Sequence, residues 1–200
     1  MEEKWMFFGD SNTFGFDPAG FWGGRYDKNK IWTGLLQKAH PEVKVINCGQ
    51  NGREIPHSKL QYDFLEGDLM RHGPLDLFAV MLGSNDLFCM VHPTAGAIAA
   101  RMEEMLWFVK EHPAVTEDTK ILLIAPAQIR LGIGFGREIE EAALGLGEQM
   151  REVAGRHSVD FADAWEWDIP LAADGVHFTL EGHRRFYQRL EQFLTGAEEG

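Results

Sequence analysis

The chain has 200 residues, of which 44% are hydrophobic and 12% aromatic, enough for one compact domain over residues 1–200 and too apolar for a disordered or low-complexity polymer. Its formal charge of −12 repels a phosphate backbone and an anionic bilayer alike, which sets aside nucleic acid and membrane surfaces as partners.

Taken in chain order, apolar runs of strand length occur at residues 5–8, 43–46, 77–82 and 121–124, with a weaker fifth at 159–161. Helical periodicity separates the later runs. Thr94 stands as an N-cap after Pro93, ahead of a stripe formed by Ile98, Met102, Met105, Leu106 and Val109. Phe186, Leu190, Phe193 and Leu194 repeat the pattern nearer the C-terminus, where Arg184, Arg185 and Arg189 form the solvated face of the same helix. Parallel strands need long crossovers, so this alternation predicts a three-layer α/β/α fold with a roughly five-stranded parallel sheet. Cys48 and Cys89 adjoin apolar runs and belong to no CxxC or His-rich cluster, so buried free thiols are expected and a zinc site is not. No run reaches the ~18 apolar residues of a bilayer span, and the first motif starts at Gly9 with no room for a signal peptide, so a cytoplasmic location is expected.

In open parallel sheets ligands bind beyond the carboxyl ends of the strands. Three polar, glycine-punctuated turns follow the first three runs there: Gly9-Asp10-Ser11-Asn12, the stretch from Asn47 to Gly52, and Gly83-Ser84-Asn85-Asp86. Later, Asp174 and His177 place a carboxylate and an imidazole three residues apart. A serine hydroxyl becomes a nucleophile when a base takes its proton, and imidazole is the usual base near neutral pH. A carboxylate on the other ring nitrogen fixes the tautomer and stabilises the imidazolium. The sequence therefore offers Ser11, His177 and Asp174 as a triad, with the Ser11 and Gly52 backbone N–H groups and the Asn85 amide as oxyanion donors. Gly49 competes with Gly52 for that role, His183 with His177, and Asp160, Asp163 and Asp168 with Asp174. Asp10 reads as a structural carboxylate and Asp86 as a cap for the segment after its turn. Phe14, Phe16, Phe21, Trp22 and Tyr26 lie in a loop with Gly15, Gly20, Gly23 and Gly24, which reads equally as a pocket wall or as loop anchoring and a subunit contact. Asn12, Phe14 and Trp22 are the expected substrate contacts, and Trp165 and Trp167 lie either in the same cleft or in the core.

These blocks, in this order, resemble the SGNH/GDSL hydrolase family: Gly9-Asp10-Ser11 its first block, Gly52 its second, Gly83-x-Asn85-Asp86 its third and Asp174-x-x-His177 its fifth. Arg25-Tyr26 followed by Ile31-Trp32-Thr33-Gly34, with the run from Asp174 to Thr179, is similar to the branch of small bacterial aryl esterases and acyltransferases. The branch can carry Ala where Gly52 stands. The resemblance implies acyl transfer without metal or organic cofactor, favours Gly52 over Gly49, and implies self-association into a homo-oligomer. The expected activity is hydrolysis of short-acyl carboxylic esters, with transfer to an alcohol where water is excluded. A deacetylase or acyltransferase acting on an acylated sugar or metabolite is the runner-up. A non-catalytic carbohydrate-binding protein on the same fold would have lost Ser11, His177 or Asn85, and all three are present.

Overall fold

The structure is a computed structural model and describes residues 2–20, 24–130 and 136–196. Five strands, β1 (Glu3–Gly9), β2 (Val43–Gly49), β3 (Leu77–Met81), β4 (Lys120–Ala125) and β5 (Asp160–Asp163), form one sheet in the order β2-β1-β3-β4-β5. Every pair is parallel. Adjacent residues on β1 and β3 feed opposite faces, and both faces are covered, so their sequences read as unbroken apolar runs. Met6, Phe8, Phe78 and Val80 pack under α3 (Lys59–His72), α5 (Ala95–Lys110) and α6 (Arg137–His157). Phe7, Ala79 and Met81 pack under α2 (Trp32–Ala39) and α7 (Leu180–Thr195). Two short helices, α1 (Ser11–Phe14) and α4 (Ser84–Cys89), begin immediately past β1 and β3, and a 3-10 turn follows β5 at Ala164–Trp167.

The chain runs from β1 outward to β2, then crosses back over β1 to β3, so the direction of winding reverses at β1. The carboxyl ends of β2, β1 and β3 lie side by side there, with Gly9 level with both Gly49 and Met81. That reversal opens the crevice in which such sheets hold ligands.

Thr94 does cap α5, its Oγ1 accepting from the Ala97 N–H at 3.1 Å. Several expectations need correction. Cys89 is exposed, because α4 turns that side outward, and Cys48 is only partly buried. Phe193 is 40% exposed while its neighbour Leu194 packs on the core, so the α7 stripe is narrower than the sequence pattern. The fifth strand begins and ends later than expected, since β5 is an edge strand with a mixed burial pattern and lacks a continuous apolar run. Trp165 and Trp167 pack against the two cores, Trp167 standing edge-on to Phe186 at 5.1 Å.

Candidate active site

The turn after β1 is built around close backbone approach. A Cβ on Gly9 would overlap the Thr13 side chain, so only glycine lets the chain fold sharply into α1. Asp10 caps α1 by accepting from the Asn12 N–H at 2.9 Å, and Gly15, at φ +88°, closes it. Ser11 is the first residue of α1, where a backbone N–H has no partner within the helix.

His177 reaches this serine from a loop 166 residues away in sequence: its Nε2 lies 3.0 Å from Ser11 Oγ. Its Nδ1 lies 2.8 Å from Asp174 Oδ2, while Asp174 Oδ1 accepts the Val176 and His177 backbone N–H groups at 2.9 and 3.0 Å. Burial works against the Asp174 carboxylate, but these hydrogen bonds outweigh it and hold the group below the usual carboxylate range. An ionised Asp174 accepts the Nδ1 proton, which leaves Nε2 free to accept the Ser11 hydroxyl. Phe16 lies against the imidazole with ring centroids 4.5 Å apart.

Asn12, an expected substrate contact, is instead a brace. Its Nδ2 donates to Val176 O at 3.1 Å and its Oδ1 accepts from Phe178 N at 2.9 Å, so both ends of a buried amide are spent holding the His177 loop against α1. Arg25 covers the Phe14 ring at 4.4 Å and donates through Nε to the Phe14 carbonyl at 2.6 Å, and Phe16 is the aromatic beside His177. Tyr26 stands edge-on to His183. Trp22 and Phe21 lie outside the described residues.

The competing residues are occupied elsewhere. His183 is fully buried between Tyr26 and Phe178, accepts the Trp32 N–H at Nδ1 at 3.5 Å, and is held neutral by burial, which pulls its pKa to about 3. Asp168 pairs with Arg185 at 2.8 Å, Asp163 caps the 3-10 turn and pairs with Arg151, and Asp160 opens β5 at the amino end, away from the crevice. Gly49 gives its N–H to Asn47 Oδ1 at 2.9 Å, and a Cβ there would overlap the Phe14 backbone.

Gly52 is different. It is exposed, has φ +72°, and a Cβ there would meet nothing within 4 Å. The Arg53 N–H donates to Gln50 O at 3.3 Å, and a positive φ at the third residue only is the mark of a type II turn. Asn85, at the start of α4, donates one amide N–H to Arg53 O at 2.9 Å, which leaves the second for another acceptor. Asp86 does not cap its own helix. It is fully buried and accepts the Ile55 N–H at 3.0 Å and Arg101 Nη1 at 2.8 Å, which pins the loop after β2. Burial raises its pKa against these two partners.

Sequence reasoning missed Arg53 and Arg101: Arg101 pairs with carboxylates on two other segments, and Arg53 with carbonyl oxygens of β1 and β2 and the Gln50 side chain, a set that no residue-type spacing marks. The cysteine, aspartate and histidine of Cys48, Asp68 and His72 lie within 4.8 Å of one another, as do Glu54, His57 and Asp86. Asp68 is already paired with Arg71, and Glu54 and Asp86 with Arg101, so guanidinium groups hold the charge a cation would need.

A parallel sheet with this crevice, holding a serine, histidine and aspartate in hydrogen-bonded sequence, defines a serine hydrolase of the α/β/α type. Residues 7–185 match the model of the GDSL-like lipase/acylhydrolase family, and the chain belongs to that family. No curated protein matches the chain. Among solved structures, it is similar to a carbohydrate acetylesterase family member from Sinorhizobium meliloti, at 28% identity over 97% of this chain and 98% of that one, with a TM-score of 0.85. It is also similar to the inhibitor-bound aryl esterase of M. smegmatis, at 25% identity over 98% and 100% of the two chains, with a TM-score of 0.83. An acetyl-xylooligosaccharide esterase from Geobacillus shares the fold at 22% identity over 99% and 98% of the chains, with a TM-score of 0.69. The protein is a carboxylic ester hydrolase. Among the described residues, no helix is long and apolar enough to cross a membrane.

Proposed function

We propose that the protein hydrolyses small, short-acyl carboxylic esters through an acyl-Ser11 intermediate. The observation that carries this reading is the unbroken chain from Ser11 Oγ through His177 to Asp174, with spacings of 3.0 and 2.8 Å. Ser11 Oγ attacks the ester carbonyl as its proton passes to His177 Nε2, and the imidazolium is stabilised by Asp174. The negative charge on the former carbonyl oxygen is met by the N–H groups of Ser11 and Gly52 and by the Asn85 amide. Collapse expels the alcohol, which takes the proton from His177. Water then attacks the acyl group, passing its own proton through His177 to Ser11 Oγ and releasing the acid. An alcohol in place of that water gives acyl transfer.

The likeness to a carbohydrate acetylesterase family member supports a second reading, in which the natural ester is an acetyl group on a sugar hydroxyl. Both readings use the same acyl half and differ in the leaving group. A series of p-nitrophenyl esters from acetyl to octanoyl, together with an acetylated sugar, tests them. Highest kcat/KM between acetyl and butyryl is expected, and a maximum at octanoyl rejects the short-acyl reading. Ser11→Ala, a small change at a strand end, should abolish turnover and fluorophosphonate labelling while the fold is kept. A folded variant with near-normal turnover would falsify the nucleophile assignment.

A further inference from the structure

The three proposed oxyanion donors come from three separate loops, after β1, β2 and β3, and the strand ladders stop at Gly9, Gly49 and Met81, short of all of them. A rate advantage from such donors depends on placement to well within an ångström. Some element must tie the loops together beyond the sheet.

Arg53 reaches the end of β1, the loop after β2 and the loop after β3. Its Nη1 donates to Gly9 O at 3.1 Å, at the end of β1, and also to Cys48 O on β2. Its Nη2 donates to Gln50 Oε1 at 3.0 Å, in the turn that presents Gly52. Its backbone carbonyl accepts Asn85 Nδ2 at 2.9 Å, which fixes the plane of that amide. The guanidinium carbon lies over the Phe8 ring, 3.9 Å from its centroid, and Asp68 of α3 approaches the guanidinium to 3.9 Å. Three fixed donors of a planar fork and one carbonyl thus join the ends of two strands, the Gly52 turn and Asn85. A lysine ammonium can supply the charge but not this fork.

We infer that Arg53 is the positioning residue of the oxyanion site, acting through Gly52 and Asn85 and touching no reacting atom, an inference that rests on the assignment of that site above. Its effect belongs to the transition state, since the donors it aims meet charge that exists only there.

The test uses Arg53→Met and Arg53→Lys, each in the parent and in an Asn85→Ala background, with kinetics on p-nitrophenyl acetate, fluorophosphonate labelling rates and thermal melting. Arg53→Met should lower kcat by about 10- to 100-fold with KM changed less than about threefold. Arg53→Lys should lose nearly as much, because charge without the fork does not aim the donors. In the Asn85→Ala background the Arg53→Met loss should shrink, as expected of residues acting as one unit. If Arg53→Met fails to fold, Arg53→Lys carries the comparison alone. The inference is overturned by a folded Arg53 variant with parental kcat, by full rescue with lysine, or by losses that multiply in the double variant. A parent protein that neither turns over the ester nor labels at Ser11 rejects the proposed function itself. An active parent indifferent to Arg53 rejects only the positioning role.

Discussion

Asp174 divides its work between its two oxygens, and this determines what a conservative change would do. Oδ1 accepts two backbone N–H groups and Oδ2 faces the imidazole Nδ1. An asparagine there must keep its oxygen toward the two donors, which turns its NH2 toward Nδ1 and forces the ring proton onto Nε2. His177 then cannot accept from Ser11. Asp174→Asn should therefore cut kcat by about 10⁴ near neutral pH with little change in melting temperature. The double variant Asp174→Asn/His177→Ala should be little worse than His177→Ala alone, measured as kcat/KM. Multiplicative losses would show that Asp174 acts independently of His177. The proximity of Ser11, His177 and Asp174, and the place of Asn85 at a strand end beside them, were legible in the sequence because the proposed chemistry restricts the residue types, and because each follows a strand or lies one turn from its partner. Asn12 and Arg53 were not. The Asn12 amide meets backbone atoms 164 and 166 residues away, and Arg53 meets mostly backbone carbonyls, which any segment supplies.

At the level of the elements, the two glycines after β2 make opposite demands. Gly49 is needed for space, since its missing Cβ admits the backbone of α1. Gly52 is needed for conformation, with open space around it and φ +72°. Gly49→Ala should destabilise the fold by about 3 kcal/mol, the upper range for overpacking, and lower the melting temperature accordingly. Gly52→Ala should cost only about 1–2 kcal/mol of backbone strain, confined to an exposed turn, yet reduce kcat disproportionately by tilting the donor N–H. The two variants separate cleanly if melting and kcat are measured together, and equal ratios of the two effects would count against the distinction. Alanine at 52 would fit the open space but be strained at φ +72°. The buried central strands were readable because sterics and burial act on every residue in them. The edge strand β5 and the two-sided apolar pattern of α3, which exposes Leu60, Phe64 and Met70 while burying Leu65 and Leu69, carry no single period.

For the molecule as a whole, the site carries a cost in stability that depends on pH. Burial pushes the Asp10 carboxyl up to about 6 from its ordinary 3.8, against the pull of the Asn12 N–H, His177 and Arg53. Between those values the native state holds a proton that the unfolded chain releases, so this contribution is full below about pH 4 and is lost as pH rises through about 6. Its size is on the order of 3 kcal/mol. Asp10→Asn cannot ionise, so the melting temperature of the parent relative to this variant should fall as pH is raised from 4 to 7. A difference independent of pH would mean that Asp10 titrates alike in both states. The 166-residue separation between His177 and Ser11, bridged also by the Asn12 amide, has a kinetic meaning. Contacts of such high order are slow to close, and a polypeptide emerging from the ribosome presents its nucleophile long before its base. Nascent chains therefore remain chemically silent toward esters until this pair closes, and the return of fluorophosphonate reactivity during refolding reports that long-range closure, which early collapse alone does not supply.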